Sequence, residues 1–196
     1  MTSRPTDILP LPVVLSDANV LYSRVIRDYL VYASDQQILT IKWTTAILDE
    51  VVRNLASNRP NFTHEAGARL IGLLNTAYPF AEVEVTAQAW ESVSAFPLPD
   101  EDDRHVLAAA VAAEADILCT DNIKDFPSAV MDQIGVQAMT ADDLLSHLAI
   151  GFPAQMRAAH RLAVSRLPGA TDASTLAALR RAGCPVTAGR MAALLA

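Results

Sequence analysis

Apolar and polar positions along this chain follow two periods in turn, and the change of period marks the elements. Leu11 to Ser16 is a short apolar run with a polar end, which predicts a strand, and Asn19 to Tyr32 carries apolar residues at helical spacing. Ile38 to Trp43 predicts a second short strand. Thr44 to Ser57 follows as a helix, with Thr44 or Thr45 as its cap and Ile47, Leu48, Val51, Val52 and Leu55 as the inner stripe. Asn58, Arg59 and Pro60 break it, and Thr63 can cap a third helix to about Tyr78. Glu82 to Thr86 alternates as a strand and Ala87 to Ala95 reads as a short helix, before Pro97 and Pro99 mark a loop.

The second half repeats the alternation. An acidic loop (Asp100 to Asp102) leads into an alanine-rich helix from Asp103 to Ala115, then an apolar strand from Ile117 to Thr120. Asp121-Asn122 and a turn closed by Asp125-Phe126-Pro127 come next, followed by a strand from Ile134 to Met139. Thr140 and Asp143 have capping-box spacing for a helix to about Ile150. Pro153 to Leu167 and Thr171 to Ala182 then read as helices separated by Pro168-Gly169, and a last short helix closes the chain. Strands alternating with helices predict an α/β fold: a central parallel sheet between helical layers, with ligands outside the carboxyl ends of the strands. The expected organisation is one domain over residues 1–150 and a helical extension, 151–196, packed on it.

Composition changes this picture in two places. Cys119 and Cys184 offer neither a disulfide framework nor a zinc pattern, which fits a reducing cytoplasm. Residues 1–10 lack an apolar signal core, and no stretch approaches the roughly 20 apolar residues of a membrane span, so neither secretion nor membrane insertion is expected. The net charge of -7 argues against a polyanion partner, but its distribution is uneven. Residues 1–150 hold nine of fifteen Lys and Arg and twenty-one of twenty-two acids, leaving six Arg against one acid in the extension. A basic tail on an acidic body either docks on that body or meets an acidic partner such as RNA, or another protein.

The acids that stand at strand ends carry the chemistry. Asp17 follows the first strand and Asp121 follows Ile117 to Thr120. Either alone is a good helix cap, but strand-terminal acids of one parallel sheet converge on one edge, where uncompensated carboxylates call for a bound cation or a raised pKa. Glu50 is a third candidate: its neighbour Asp49 has Arg53 at i+4 for an ion pair, whereas Glu50 has none, although a solvated glutamate fits as well. Asp103 starts the stripe that continues through Leu107 and Ala110, with Asp102 as the expected cap of that helix. Asp125 either joins the cluster or organises the turn before Pro127.

Asp17-Ala-Asn19-Val-Leu21 after a strand, Glu50 on the second helix, Asp103-Arg-His-Val-Leu-Ala-Ala-Ala, and Thr120-Asp121-Asn122 with Asp125-Phe126 together resemble the PIN-domain nucleases. Within them the chain is most similar to the VapC-type toxins of bacterial toxin-antitoxin pairs, over about residues 11–145. The resemblance implies a PIN-like three-layer α/β/α fold, with Asp17, Glu50, Asp103 and Asp121 as the acidic set and Asp125 as a further metal ligand. It also implies Mg²⁺ or Mn²⁺, endoribonuclease activity, a cognate antitoxin and homodimerisation. Hard cations of this kind prefer carboxylate oxygen. The expected reaction is in-line attack of water on an RNA phosphodiester, with Glu50 orienting the water or assisting proton transfer, leaving 5'-phosphate and 3'-hydroxyl ends. Short toxins of this type end near the last strand and helix, so the extension lies outside the resemblance.

Arg24, Arg27, Lys42, Arg59, Arg104 and Lys124 are the cations nearest this edge in sequence and the candidates for RNA contact; Arg157, Arg161, Arg180 and Arg181 face either RNA, the antitoxin or solvent. An exposed loop of a structured RNA is the favoured substrate, since sequence-reading proteins target unpaired bases. Three other chemistries fit parts of this pattern. A phosphatase using a strand-end Asp-x-Asp meets Asn19 at the second position, and a dinucleotide enzyme would need a glycine-rich loop that is absent. A non-catalytic interaction module would keep its partner without Asp17 and Asp121.

Overall fold

The computed structural model describes residues 11–196, so the reading of residues 1–10 lies outside the described part. Four strands, β1 (Val13–Ser16), β2 (Thr40–Lys42), β3 (Ile117–Cys119) and β4 (Gln137–Met139), form one all-parallel sheet in the order β2-β1-β3-β4. Leu15 pairs with Lys42 on one side and Leu118 on the other, and Leu118 pairs with Ala138. Parallel strands need crossovers, and the helices that supply them bury both faces, which explains why Val14, Leu15, Leu118 and Cys119 are all buried. The architecture is three-layer α/β/α with additional C-terminal helices.

The chain leaves β1 toward β2 on one side and returns to β3 on the other, so strand order reverses between β1 and β3. A crevice opens at the carboxyl ends of these two strands, the ordinary place for a ligand in such sheets. Helices α1 (Ala18–Tyr22) and α2 (Arg24–Asp35) follow β1; α3 (Thr45–Asn58), α4 (His64–Ala77) and α5 (Ala87–Val93) follow β2. A 3-10 turn at Glu101–Asp103 leads into α6 (Arg104–Ala112), whose alanine side chains allow close packing on the sheet.

Four expectations from the sequence need correction. The helix expected from Asn19 to Tyr32 is two, because Ser23 is extended (φ -74°, ψ 115°) and its N–H turns back to Val20. Glu82 to Thr86 makes a single parallel bridge between Glu82 and Trp43 rather than a strand. The segment before β4 holds a helix that the sequence reading passed over, α7 (Ser128–Ile134), which starts after Pro127 and ends at Gly135 with φ 70°. The Asp49–Arg53 ion pair is not formed.

Beyond β4, α8 (Ala141–Gly151) is capped by Thr140, whose Oγ1 accepts from the Asp143 N–H. The reciprocal contact is to the Asp143 carboxylate instead of a backbone N–H, so the capping box is half made. The extension comprises α9 (Pro153–Ser165), α10 (Asp172–Arg181) and α11 (Pro185–Leu195). α9 packs along α2 and α11 along α8, and Met156, Ala163, Leu179, Ala188 and Met191 join the same apolar core as the sheet. Asp142 of α8 supplies the missing cap of α11, accepting from the N–H groups of Val186 and Thr187 at 3.0 and 2.7 Å.

Candidate active site

Asp17 stands at the end of β1 and at the N-cap of α1, only 3% exposed. Its Oδ1 accepts from the Ala18 N–H at 2.6 Å, and its Oδ2 accepts from Asn19 Nδ2 at 2.6 Å and Thr120 Oγ1 at 2.7 Å. Thr120 directly follows β3, so the hydroxyl ties the two central strands together at their carboxyl ends; it also accepts from Asn19 Nδ2 and the Asn122 N–H. Burial pushes the Asp17 carboxyl above its ordinary value despite these donors, because desolvation outweighs them. Asp17 is therefore both a cap and a buried acid. Oδ1, with one donor, keeps a lone pair unengaged.

Asp103 is the last residue of the 3-10 turn and is half-buried. Burial, then the charges of Asp17, Asp100 and Asp125, push its pKa up to about 6, with His105 as the opposing influence. Asp17, Asp100 and Asp125 thus all act on Asp103, Asp17 most strongly and Asp125 least. No Lys or Arg forms an ion pair with Asp17, Asp103 or Asp125 among the described residues. Asp102 does not cap α6; Asp100 caps the turn by accepting from the Asp102 N–H.

Glu50 reaches the cluster through His105, whose Nε2 lies 3.6 Å from Oε2 while its Nδ1 meets the Asp102 carbonyl at 2.7 Å. Asp121 behaves differently. Its backbone N–H donates to Asn19 Oδ1 and its own Oδ1 accepts from the Ala141 N–H at 3.2 Å, so the side chain serves the start of α8. With Asp121 turned to α8 and Glu50 held by His105, no three Asp, Glu, His or Cys side chains among the described residues stand close enough to hold an ion as placed. The donor chemistry nevertheless fits a hard dication: all-oxygen and without a Lys or Arg counter-cation.

The expected RNA contacts divide sharply. Arg27 is buried, and its guanidinium donates to the Leu21 carbonyl at 2.7 Å, closing the end of α1; desolvation lowers its pKa. Arg104 is spent on Glu101 and the Val93 carbonyl, and Lys42 on the Phe80 carbonyl. Arg24 is exposed beside Asp28 at 3.5 Å, whereas Lys124 is exposed and forms no ion pair among the described residues. Of the extension's arginines, Arg161, Arg180 and Arg181 are exposed and Arg157 is half-buried.

Thr120, His105 and Asn19 were not singled out from sequence. A hydroxyl at the last position of a strand, next to a suspected acid, was the available signal for Thr120; His105 could have been found only by knowing that α3 and α6 face one crevice.

A family description, "PIN domain", matches residues 13–124, from β1 through the turn after β3. A protein of Mycobacterium tuberculosis named "Putative ribonuclease VapC50" is 44% identical over 43 residues, which is 22% of this chain and 25% of that protein. The matched segment thus spans about a quarter of the relative's length. No solved structure matches the chain.

Proposed function

The chain belongs to the PIN-domain family, and from that premise we propose that it is a metal-dependent endoribonuclease, the toxin of a toxin-antitoxin pair. One observation carries the reading: Asp103, at the start of α6, is raised to about 6 by burial and by the charges of Asp17 at the end of β1, Asp100 and Asp125. Carboxylates so placed and left without a cationic partner suit an added Mg²⁺ or Mn²⁺. The ribonuclease name of the relative supports RNA as the proposed substrate class.

Asp17, Asp103 and Asp125 would hold the ion, and Asp121 would join them by leaving Ala141. When bound, a dication of this kind neutralises phosphoryl charge and makes water a better nucleophile near neutral pH. The chain's own residues do the rest. Thr120 and Asn19 fix the Asp17 carboxylate by taking up Oδ2, which directs the free lone pair of Oδ1 outward. Glu50, steadied by His105, accepts the proton of the attacking water. Arg24 and Lys124 lie on the surface to meet phosphate; Arg27 holds α1 in place instead.

The proposed setting is the cytoplasm, where Cys119 and Cys184 stay free and buried. Among the described residues no helix is long and apolar enough to cross a membrane. A cognate antitoxin and a second copy of the chain are the proposed protein partners, and residues 151–196 are the proposed extension of a nuclease domain over 1–150.

The test is cleavage of end-labelled total cellular RNA by the purified chain with Mg²⁺, with Mn²⁺ and with EDTA, beside Asp17→Asn. Discrete metal-dependent cuts with 5'-phosphate and 3'-hydroxyl ends are expected. A 2',3'-cyclic phosphate would exclude water as the nucleophile, and partner binding unaffected by Asp17→Asn without metal uptake would make the chain a binding module.

A further inference from the structure

The extension also shapes a surface. Where α9 and α10 approach α1 and α2 they leave a cleft of about 690 Å³, inside the range of roughly 300–1,000 Å³ typical of ligand sites. One end opens at Asn19 and Asp121. Asn19 is bonded to the Asp17 carboxylate and to the Asp121 N–H, so the cleft runs directly into the carboxylate edge. Ala163, Leu167 and Ala178 of the extension form an apolar wall, ending at Arg181. Tyr22, Arg24 and Arg59 face it from the body, with the Arg59 guanidinium 5.9 Å from the centre of the Tyr22 ring.

Charge inside the cleft favours an anion. Its carboxylates are Asp28, already paired with Arg24, and Asp121, engaged at α8. Arg59 and Arg181 form no ion pair among the described residues. Asp172 is the single acid of residues 151–196, and it is turned to His160, which leaves Arg181 uncompensated by its own segment. Guanidinium groups beside an aromatic ring and a flat apolar wall have the chemistry of a single nucleic-acid strand: phosphate to arginine, base to the apolar surface.

We propose that this cleft holds one unpaired nucleotide of the RNA strand next to the cleavage point. Arg181 and Arg59 take its phosphate, and the base lies between Tyr22 and the wall of α9 and α10. The extension is then a substrate-reading element. The assignment rests on the ribonuclease reading.

The test is equilibrium binding of fluorescein-labelled single-stranded RNA of random sequence to the full-length chain, read by anisotropy in an Asp103→Asn background that leaves the probe uncut. Arg181→Ala weakens binding by about tenfold, the scale of one charge-assisted contact. Ala178→Trp, which fills the cleft, weakens it further. Arg190→Ala, an exposed arginine of α11 outside the cleft, leaves it nearly unchanged. Arg181 is exposed, so its removal leaves the core intact, and thermal melts verify the fold of the tryptophan variant. Equal affinity in the parent and both cleft variants overturns the assignment and gives the cleft to a protein segment instead; a parent that binds no RNA overturns it too. Failure of the ribonuclease reading looks different: the chain with Asp103 intact cuts nothing in metal, whatever the cleft variants do.

Discussion

Two regions of this molecule bury polar groups, and they do so in opposite ways. In the extension, His160 has no exposure; one ring nitrogen meets the Tyr29 hydroxyl and the other Asp172. Thr187, also unexposed, donates to Asp142, which accepts two N–H groups of α11 as well. At the carboxyl edge, Asp103 stands half-buried in the field of Asp17, Asp100 and Asp125, with His105 as the opposing charge. Satisfied polar contacts stabilise the fold as it stands, whereas the carboxylate edge keeps mutual repulsion that the proposed cation would relieve. The buried polar contacts of the extension serve stability and the edge is the proposed metal site, so a change to His160 or Asp142 should leave metal binding nearly intact.

The largest expected effect comes from the edge. Asp103→Asn reduces metal-dependent RNA cleavage by at least on the order of 10²–10³-fold, the scale of removing one preorganised electrostatic group. The same change raises the melting temperature of the metal-free protein, by a few degrees, because it removes repulsion. The pH dependence follows with a definite sign. The folded state holds the Asp103 proton up to about pH 6 against an ordinary 3.8, so it binds protons more tightly than the unfolded chain. Metal-free stability therefore falls as pH rises from near 4 through 6, and metal affinity rises over that interval. Melting curves of the two proteins across it should converge at low pH.

The next effect breaks the other region. His160→Ala removes a buried ring and strands the Tyr29 hydroxyl, at a cost of about 3 kcal/mol, or roughly 6–12 °C in melting temperature for a chain of this size. Metal affinity, measured by calorimetry below the transition, should hold. A parallel loss of metal binding would mean that the extension and the edge are coupled.

Most of the frame was legible in the pattern of the chain, because a buried parallel strand and an amphipathic helix each leave a period. The places of Asp17 and Asp103 in the fold were legible from position: an acid at the end of an apolar strand, and an acid heading a stripe that includes Leu107. What the pattern could not show was local geometry set by tertiary partners. Ser23 breaks a continuous helical period while Arg27 turns inward to close α1 at the Leu21 carbonyl. Glu82 alternates correctly but finds a neighbour only at Trp43. Asp121 and Asp125 are four positions apart in one turn, yet Asp121 serves α8 through the Ala141 N–H while the charge of Asp125 acts on Asp103, a distinction that exists only once Ala141 is in place.

Two smaller effects sharpen the contrast. Thr120→Val removes the hydroxyl that orients Asp17; metal affinity falls by about tenfold or more, as for other groups that position a ligand, with little change in melting temperature. Asp142→Ala uncaps α11 for about 1 kcal/mol, seen as a small drop in denaturant midpoint with metal binding unchanged.

The most direct test of the central claim is a calorimetric titration of the purified chain with Mn²⁺ above pH 7, beside Asp103→Asn. Saturable uptake by the parent and its loss in the variant are predicted. No uptake by the parent, or equal uptake by both, would contradict the claim that this carboxylate edge is a metal site.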